Sequence, residues 1–527
     1  MKALRSMSLA GGPPQALSLA QRLAVFAGFS GLFILLLAAF GVSFPNRAAW
    51  LGISLGLILA GVVWYSHALY AAHPPGIRND GVWFKSVSGR GLWAWGLGIL
   101  LTGFYIVLYF YPHYLGQTAD GPNRGLIALF DPLSHALSGN PASQWFVYGA
   151  LYTLAILAFG IKFIWKYRHN RYEVLRTFSV MFFQLAFAFI IPEVMARLNG
   201  DLPYYDLKNI WPLNYYHFEG YRISAFLGAG NIGLVLLLFG ILSVLVISPL
   251  LTYFYGKRWY CSWVCGCGGL AETAGDPFRQ LSDKRLFAWK VERWVIYSVL
   301  VFVVLMTTAV VYSYLGPDNS RYWLSRPQFL LGTAGLLTAV FAWVMVFRRR
   351  ELRKDATYGA WAYFVVILAL IGFHFLSDSQ HIFLFKSETL RKSYSFLIGS
   401  IFSGVIGTGF YPIFGSRVWC RFGCPMAAIL GLQQRLLSRF RITTNGGQCI
   451  SCGNCSTYCE MGIDVRAYAQ RGENIVRASC VGCGICSAVC PRGVLRLENG
   501  PLKNRIASPE TMSAPEIDLL QQLQKDA

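Results

Sequence analysis

Charge is scarce in this chain. Only 13% of its 527 residues are Asp, Glu, Lys or Arg, about half the share usual in a soluble domain. With 55% hydrophobic residues and a mean hydropathy of +0.45, that deficit places most of the chain in lipid. Acidic residues are the rarer sign, 25 against 46 Lys and Arg, for a net charge of +21. Such an excess invites a nucleic-acid reading. The basic residues, however, lie mainly in short loops between apolar segments, the pattern of the positive-inside rule, which speaks for anionic lipid headgroups and against nucleic acid. Cysteine is missing before Cys261, and all 13 cysteines follow in short motifs. A disulfide framework would spread cysteines through exported loops, so metal ligation is the better reading.

About ten apolar segments are long enough to span a bilayer, which takes about 20 residues: roughly 23–44, 49–70, 92–111, 145–165, 176–197, 226–254, 294–315, 327–347, 358–377 and 395–415. Arg78, Lys85 and Arg90 follow the second segment, and Lys166, Arg168 and Arg171 the fourth. Lys257 and Arg258 follow the sixth, and Arg348, Arg349 and Arg350 the eighth. All fall on one side, which the rule makes cytoplasmic. An even number of spans then leaves both termini cytoplasmic. The expected fold is an all-α polytopic membrane protein with a small C-terminal α+β ferredoxin domain. Its parts are N-terminal helices (1–225), a membrane core with two cysteine motifs (226–440), the cysteine-rich domain (441–505) and a tail (506–527).

The strongest motif is Cys449-Ile-Ser-Cys452-Gly-Asn-Cys455-Ser-Thr-Tyr-Cys459, followed by Cys480-Val-Gly-Cys483-Gly-Ile-Cys486-Ser-Ala-Val-Cys490-Pro491. Both have the C-x2-C-x2-C-x3-C run of bacterial two-cluster ferredoxins. A cubane needs four thiolates at tetrahedral corners. A tight loop with two-residue gaps places three, and the fourth comes from across the pseudo-twofold. Cys449, Cys452, Cys455 and Cys490 are therefore expected to hold one [4Fe-4S] cluster, and Cys480, Cys483, Cys486 and Cys459 the other. Zinc also binds paired C-x2-C, but eight cysteines at this doubled spacing are too many for one zinc, and no histidine is near. Gly453 and Gly484 leave room for backbone N–H groups to approach the sulfurs.

A second motif is an internal repeat. Gly256-Lys-Arg258-Trp-Tyr-Cys261-Ser-Trp263-Val-Cys265 matches Gly415-Ser-Arg417-Val-Trp-Cys420-Arg-Phe422-Gly-Cys424 in the pattern G-x-R-x-x-C-x-aromatic-x-C. Each copy follows an apolar segment, which suggests two related membrane halves delivering a cysteine pair to the same depth. Three readings of Cys261, Cys265, Cys420 and Cys424 stay open: a third cluster between the halves, a dithiol relay at the membrane surface, or packing cysteines. Cys267, in Cys265-Gly266-Cys267, is either a substitute ligand or a bystander.

Two C-x3-C motifs beside helix ends and a C-terminal two-cluster ferredoxin resemble the membrane polyferredoxins NosR and NapH, over residues 226 to 500. That family's motif ends C-x3-C-P. Here Cys424 has its Pro425, and Cys265 is followed by Gly266. The resemblance implies a protein of the bacterial inner membrane. It would move electrons between the quinone pool or a cytoplasmic donor and an extracytoplasmic reductase system, with an exported flavoprotein or cytochrome as partner and a part in a quinol dehydrogenase or respiratory reductase.

The hydrocarbon core is about 30 Å thick, and the recognisable carriers sit on one side, so a quinone or a partner's cofactor must bridge the rest. Glu193, near the outer end of the fifth segment, is a candidate quinone-site residue, because carboxylates inside spans are functional hypotheses by default. His374 or His381 lies near it in depth. An ion pair with Arg197, one turn on, is its bland alternative. Two rival functions are a membrane redox sensor or maturation factor for a respiratory reductase, and a redox-coupled transporter subunit.

Overall fold

The structure, a computed structural model, describes residues 17–71, 89–200, 202–315, 324–352, 354–377, 386–501 and 505. Arg78, Lys85, His381 and the tail 506–527 lie outside the described residues.

Polar residues punctuate the apolar runs as helix caps. Ser18 starts α1 with a capping box to Gln21; Asn46 starts α2, Ser143 α4, Asn170 α5, and Ser325 α8 with a capping box to Gln328. Their side-chain oxygens take backbone N–H groups that the first helical turn cannot satisfy internally. Among the described residues nine helices are long and apolar enough to cross a membrane: α1 Leu19–Ala39, α2 Arg47–Tyr70, α3 Leu92–Phe110, α4 Gln144–Lys166, α5 Arg171–Leu198, α6 Asn231–Tyr255, α7 Leu286–Tyr314, α8 Arg326–Phe347 and α9 Lys354–Ser377. Large side chains such as Phe26, Trp93 and Leu245 face outward from them. An outward apolar surface on this scale requires a bilayer. The chain is a multi-pass membrane protein.

Small residues set the closest helix approaches, as they must where lipid removes the hydrophobic drive between helices. Ser54 Oγ donates to the Gly31 carbonyl across α1 and α2 at 2.8 Å, and a Cβ on Gly61 would lie 2.6 Å from the Gly28 nitrogen.

The tenth apolar segment takes another form. A short helix Ser387–Tyr394 carries Glu388, Arg391 and Lys392 and continues as a π-helical stretch Ser395–Ile406. The chain turns at 407–410 and resumes as Tyr411–Phe414. Its glycines explain the shape: a Cβ on Gly404 would meet the Tyr109 ring at 2.7 Å, and one on Gly409 the Thr102 hydroxyl at 2.3 Å. The segment packs its glycines against α3, while Phe396, Leu397 and Phe414 face outward.

The two repeat copies fold back into the bundle. After α6 comes Arg258–Cys261, then the short helix Gly266–Thr273 and the turn Asp276–Leu281 before α7. After Phe414 come Trp419–Gly423 and the helix Pro425–Leu436. Non-spanning backbone is tolerated at such depth only when protein surrounds it, and Cys261, Ala271, Trp419 and Ala427 are buried.

The ferredoxin part has one antiparallel pair, β1 Arg441–Thr444 and β2 Leu495–Glu498, with Ile442 opposite Leu497. Its halves repeat one backbone path. Gly453 (φ +80°) and Gly484 (φ +92°) open the one-turn helices Asn454–Thr457 and Ile485–Ala488. Gly462 and Gly493, each three residues after the last cysteine of its run, also have positive φ.

The first glycine of each repeat has a conformation that almost only glycine adopts: Gly256 at φ +67°, ψ −179° and Gly415 at φ +97°, ψ +170°. Space is closed as well, since a Cβ on Gly415 would lie 2.5 Å from Ser282 Oγ and one on Gly256 2.6 Å from Gln434 Oε1. Gly415→Ala should therefore cost about 1–3 kcal/mol in backbone strain alone, with the clash added, and lower the thermal unfolding midpoint. A variant as stable as the parent would show that this turn is not constrained.

Candidate iron–sulfur centres

Two cavities in the ferredoxin part divide the eight cysteines four and four. One, of about 370 Å³, is lined by Cys449, Cys452, Cys455 and Cys490. The other, of about 380 Å³, is lined by Cys459, Cys480, Cys483 and Cys486. Each run thus contributes three thiols to one cavity and its last thiol to the other. Among the described residues no three cysteine sulfurs lie within 4.8 Å of one another. That is too open for one zinc with Zn–S bonds of about 2.3 Å and leaves room for a larger inorganic core.

Burial pushes the Cys480 thiol up to about 11 and that of Cys455 to about 12. Iron must then displace their protons. The two cavities differ in access: Cys452 is exposed, whereas Cys480 and Cys486 are buried.

The second cavity lies against the membrane part. Ser262, next to Cys261, donates its hydroxyl to the Val481 carbonyl, next to Cys480, at 2.9 Å. Lys257 Nζ reaches the Ala478 carbonyl at 2.5 Å, and Gln434 Nε2 the Cys480 carbonyl at 2.8 Å. The Arg258 guanidinium lies over the Phe440 ring at 4.5 Å and bonds Asn499.

Arg417, the arginine of the second repeat copy, is completely shut off from water and organises an ion network. Its Nε meets Glu460 Oε1 at 2.9 Å, its Nη2 meets Glu272 Oε1, and its Nη1 donates to the Cys261 carbonyl at 3.1 Å and to Cys420 Sγ at 3.5 Å. Glu460 also pairs with Arg279 at 3.0 Å, Arg279 with Asp276 at 2.7 Å, and Asp276 with Lys166 at 2.6 Å. Glu272 pairs with Arg176, which holds Glu173 at 2.6 Å. Four cations meet four carboxylates, none more than 5% exposed. Glu272, Glu460 and Cys483 approach within 4.8 Å of one another, but guanidinium groups already occupy both carboxylates, so this trio is no cation site. Burial pushes the Glu460 carboxyl up, and Arg417 and Arg279 outweigh it, leaving it below the usual range. Asp276 is held well below that range in the same way, by Lys166 and Arg279 against burial.

Cys261, Cys265, Cys420 and Cys424 come together from the two repeats, all buried. Cys265 and Cys267 are hydrogen-bonded to each other, and Cys267 faces Cys420 and Cys424. In both copies the second cysteine caps a helix, Cys265 that of Gly266–Thr273 and Cys424 that of Pro425–Leu436. The positive end of a helix favours a thiolate. Depth is the unexpected feature. A Cβ on Gly266 would lie 2.4 Å from Gln184 Oε1, 2.7 Å from Lys208 Nζ and 3.3 Å from the Tyr152 ring. Tyr152 lies about 21 Å along α4 from Lys166, and Gln184 about 20 Å along α5 from Arg171. The other end of the short helix carries Glu272, on Arg176 near the start of α5. Lys208 arrives from the loop at the opposite end of the bundle, and its carbonyl accepts from the Tyr260 hydroxyl at 3.0 Å. Against the expectation of thiols at the membrane surface, the site reaches inward from Cys261, whose neighbour Ser262 touches the ferredoxin part, to Cys265, whose neighbour Gly266 lies well inside the helices.

Glu193 lies half-buried near the C-terminal end of α5. It does not pair with Arg197, which donates to the Ala136 carbonyl at 2.5 Å. His374 is bonded to the Tyr312 hydroxyl at 3.2 Å, among α7, α8 and α9.

Comparison with known proteins agrees with this picture. A 4Fe-4S dicluster domain matches residues 448–495. A 4Fe-4S binding domain matches twice, at 236–285 and 396–443, over the two repeat copies. The chain is similar to the putative electron transport protein YccM of Escherichia coli (strain K12), 25% identical over 228 residues, 43% of this chain and 46% of that protein. It thus spans about half the length of the curated relative it matches. No solved structure matches. Fold, site and comparisons together define a membrane electron-transfer protein with two [4Fe-4S] clusters.

The motif arginines and their partners Glu272 and Glu460 carry a role that sequence reasoning did not assign. The arginine stood in the shared repeat pattern, but its partners are 145 and 43 residues away. Glu460→Gln leaves Arg417 and Arg279 short of a charge in a dry site, a cost of about 3–5 kcal/mol. It should lower the denaturant midpoint for bleaching of the cluster absorbance. Because the native Glu460 carboxyl is depressed, its contribution is complete above the ordinary glutamate value of about 4.3 and is lost as pH falls below it. The variant should therefore also show a flatter acid limb. Identical midpoints and acid limbs in both proteins would dismiss the network as a clamp.

Proposed function

We propose that this chain carries single electrons from a cytoplasmic donor or the quinone pool, through its ferredoxin part, to the buried cysteines of the repeat and on to an extracytoplasmic flavoprotein or cytochrome. Cys449, Cys452, Cys455 and Cys490 ligate one cluster, and Cys480, Cys483, Cys486 and Cys459 the other. The exposed Cys452 marks the side open to a soluble partner, and the buried cavity with Cys480 marks the side facing the membrane part. The observation that carries the reading is the Ser262–Val481 hydrogen bond. It joins the residue after Cys261 to the residue after Cys480, so the second cavity and the repeat thiols share a direct covalent and hydrogen-bonded connection.

The gathering of Cys261, Cys265, Cys420 and Cys424, from beside the ferredoxin part at Ser262 to well inside the helices at Gly266, supports their use as the next stop, as a third cluster or a dithiol relay. Either would shorten the span of about 30 Å of hydrocarbon that the ferredoxin part cannot reach. Glu193, near the outer end of α5, is the proposed proton-accepting group on the quinone side. The ferredoxin part and both termini are cytoplasmic, in the inner membrane of a bacterium, in the manner of NosR- and NapH-like polyferredoxins. The basic residues Lys166, Arg168, Arg171 and Lys257 at the ferredoxin end of the helices support this orientation.

Inner-membrane vesicles given menaquinol or ubiquinol test the reading, with the clusters followed by their EPR signals. Cys420→Ser should leave both ferredoxin signals intact and block quinol-linked turnover, and undiminished turnover would remove the repeat cysteines from the path. Clusters indifferent to quinol and to cytoplasmic reductant alike would defeat the proposal as a whole. Chemical analysis separates the two forms of the repeat site: about eight irons per chain for a relay, about twelve for a third cluster.

A further inference from the structure

Beyond the electron path, a third cavity lies where the ferredoxin part meets the inner end of α7. It has a volume of about 510 Å³, and its lining includes Lys257, Arg293, Arg421, Arg435 and Arg477 together with the carboxylate of Glu292. Glu292 is committed to Arg421, whose Nε it meets at 2.6 Å. Arg421 also donates Nη1 to the Asp283 carbonyl at 2.8 Å, yet its Nη2 is buried without a hydrogen-bond partner. Arg477 Nη2 is in the same position, with Glu292 Oε1 4.0 Å away; its guanidinium lies over the Trp289 ring at 4.2 Å. The Arg421 side chain is 3% exposed and that of Arg477 11%. Buried guanidinium N–H groups left without acceptors are costly unless an anion joins them, and the two edges of Arg421 and Arg477 in one cavity suit the oxygens of a phosphate.

The cavity's level in the membrane narrows the ligand. α7 has 29 residues, about 43 Å, against a hydrocarbon core of about 30 Å, so its first turns stand among the headgroups. Leu286, Phe287 and Trp294, on those turns, are exposed as lipid-facing residues are. Ile296 and Tyr297, one turn further in, give the cavity an apolar wall along which an acyl stem can run. Basic pockets between spanning helices on the cytoplasmic side suit acidic phospholipids. We propose that this cavity binds a phosphate-bearing anion through Arg421 and Arg477, and that its occupant is the headgroup of an acidic phospholipid, seated between the ferredoxin part and α7.

The test uses the full-length protein with its clusters, in nanodiscs of phosphatidylcholine containing spin-labelled cardiolipin or spin-labelled phosphatidylcholine. Labelled cardiolipin should be immobilised in preference to labelled phosphatidylcholine. Arg477→Gln should cut that preference by about fivefold, as expected for one cation near the surface. Arg285→Gln, at an exposed residue outside the cavity, should leave it unchanged. Arg293→Gln is the second variant should the first not fold, with iron content as the check on folding. Displacement of the label by inorganic phosphate as readily as by unlabelled cardiolipin would uphold the anion site and assign it to a soluble phosphate. Equal immobilisation of both lipids with no phosphate binding overturns the proposal, as does a preference undiminished in every folded variant.

Discussion

Four cations and four carboxylates, almost wholly withdrawn from water, join the membrane helices to the ferredoxin part, and Arg417 stands at their centre. One arginine side chain touches Glu460 beside Cys459, Glu272 on the short re-entrant helix, the Cys261 carbonyl and the Cys420 sulfur. Such a network does little for net stability, because removing eight ionised groups from water costs several kcal/mol each before their attraction repays it. Its value lies in uniqueness. A carboxylate left unmatched in that space is prohibitive, so only one seating of the ferredoxin part satisfies every member. The relative placement of the second cavity and the repeat cysteines follows from that seating.

The repeat cysteines depend on the same constraint from the other side. Gly256 and Gly415 turn the chain back into the bundle through conformations closed to other residues, and Cys265 and Cys424 then cap helices whose far ends are anchored by charge or packing. Cys265, at a helix N-terminus and followed by Gly266 beside Tyr152 and Gln184, lies far from the helix ends that the apolar runs alone delimit. Tyr260 and Lys208 close the arrangement by bringing a segment from the opposite end of the bundle to the same spot.

The two kinds of site were unequally legible. The C-x2-C-x2-C-x3-C runs declare themselves because coordination of a cubane is a local demand: two-residue gaps and a positive-φ glycine such as Gly453 or Gly484 are needed whatever surrounds them. The nine long apolar helices are equally direct, since a bilayer asks only for length and composition. The segment 395–415 takes a form that its hydropathy does not show, for a physical reason. Its hydropathy is that of a span, but Glu388, Arg391 and Lys392 lie on the helix that leads into it, and Gly404 and Gly409 press it against Tyr109 and Thr102, so it forms shorter helical pieces. The repeat arginines were legible only as part of a shared pattern, because an ion pair is defined by its partner, and Arg417 finds Glu272 at a distance in sequence that no pattern spans.

Composition and spacing by themselves determined a multi-span membrane protein, two iron–sulfur clusters near its C-terminus, and a duplicated cysteine motif. These features arise from solvent preference and short-range ligand geometry, both written in consecutive residues. Tertiary structure alone decided how deep the duplicated cysteines lie, which cavity faces them, and where excess positive charge gathers beside α7. Those properties belong to segments remote in the chain, and only the folded arrangement brings their charges and sulfurs within reach of one another.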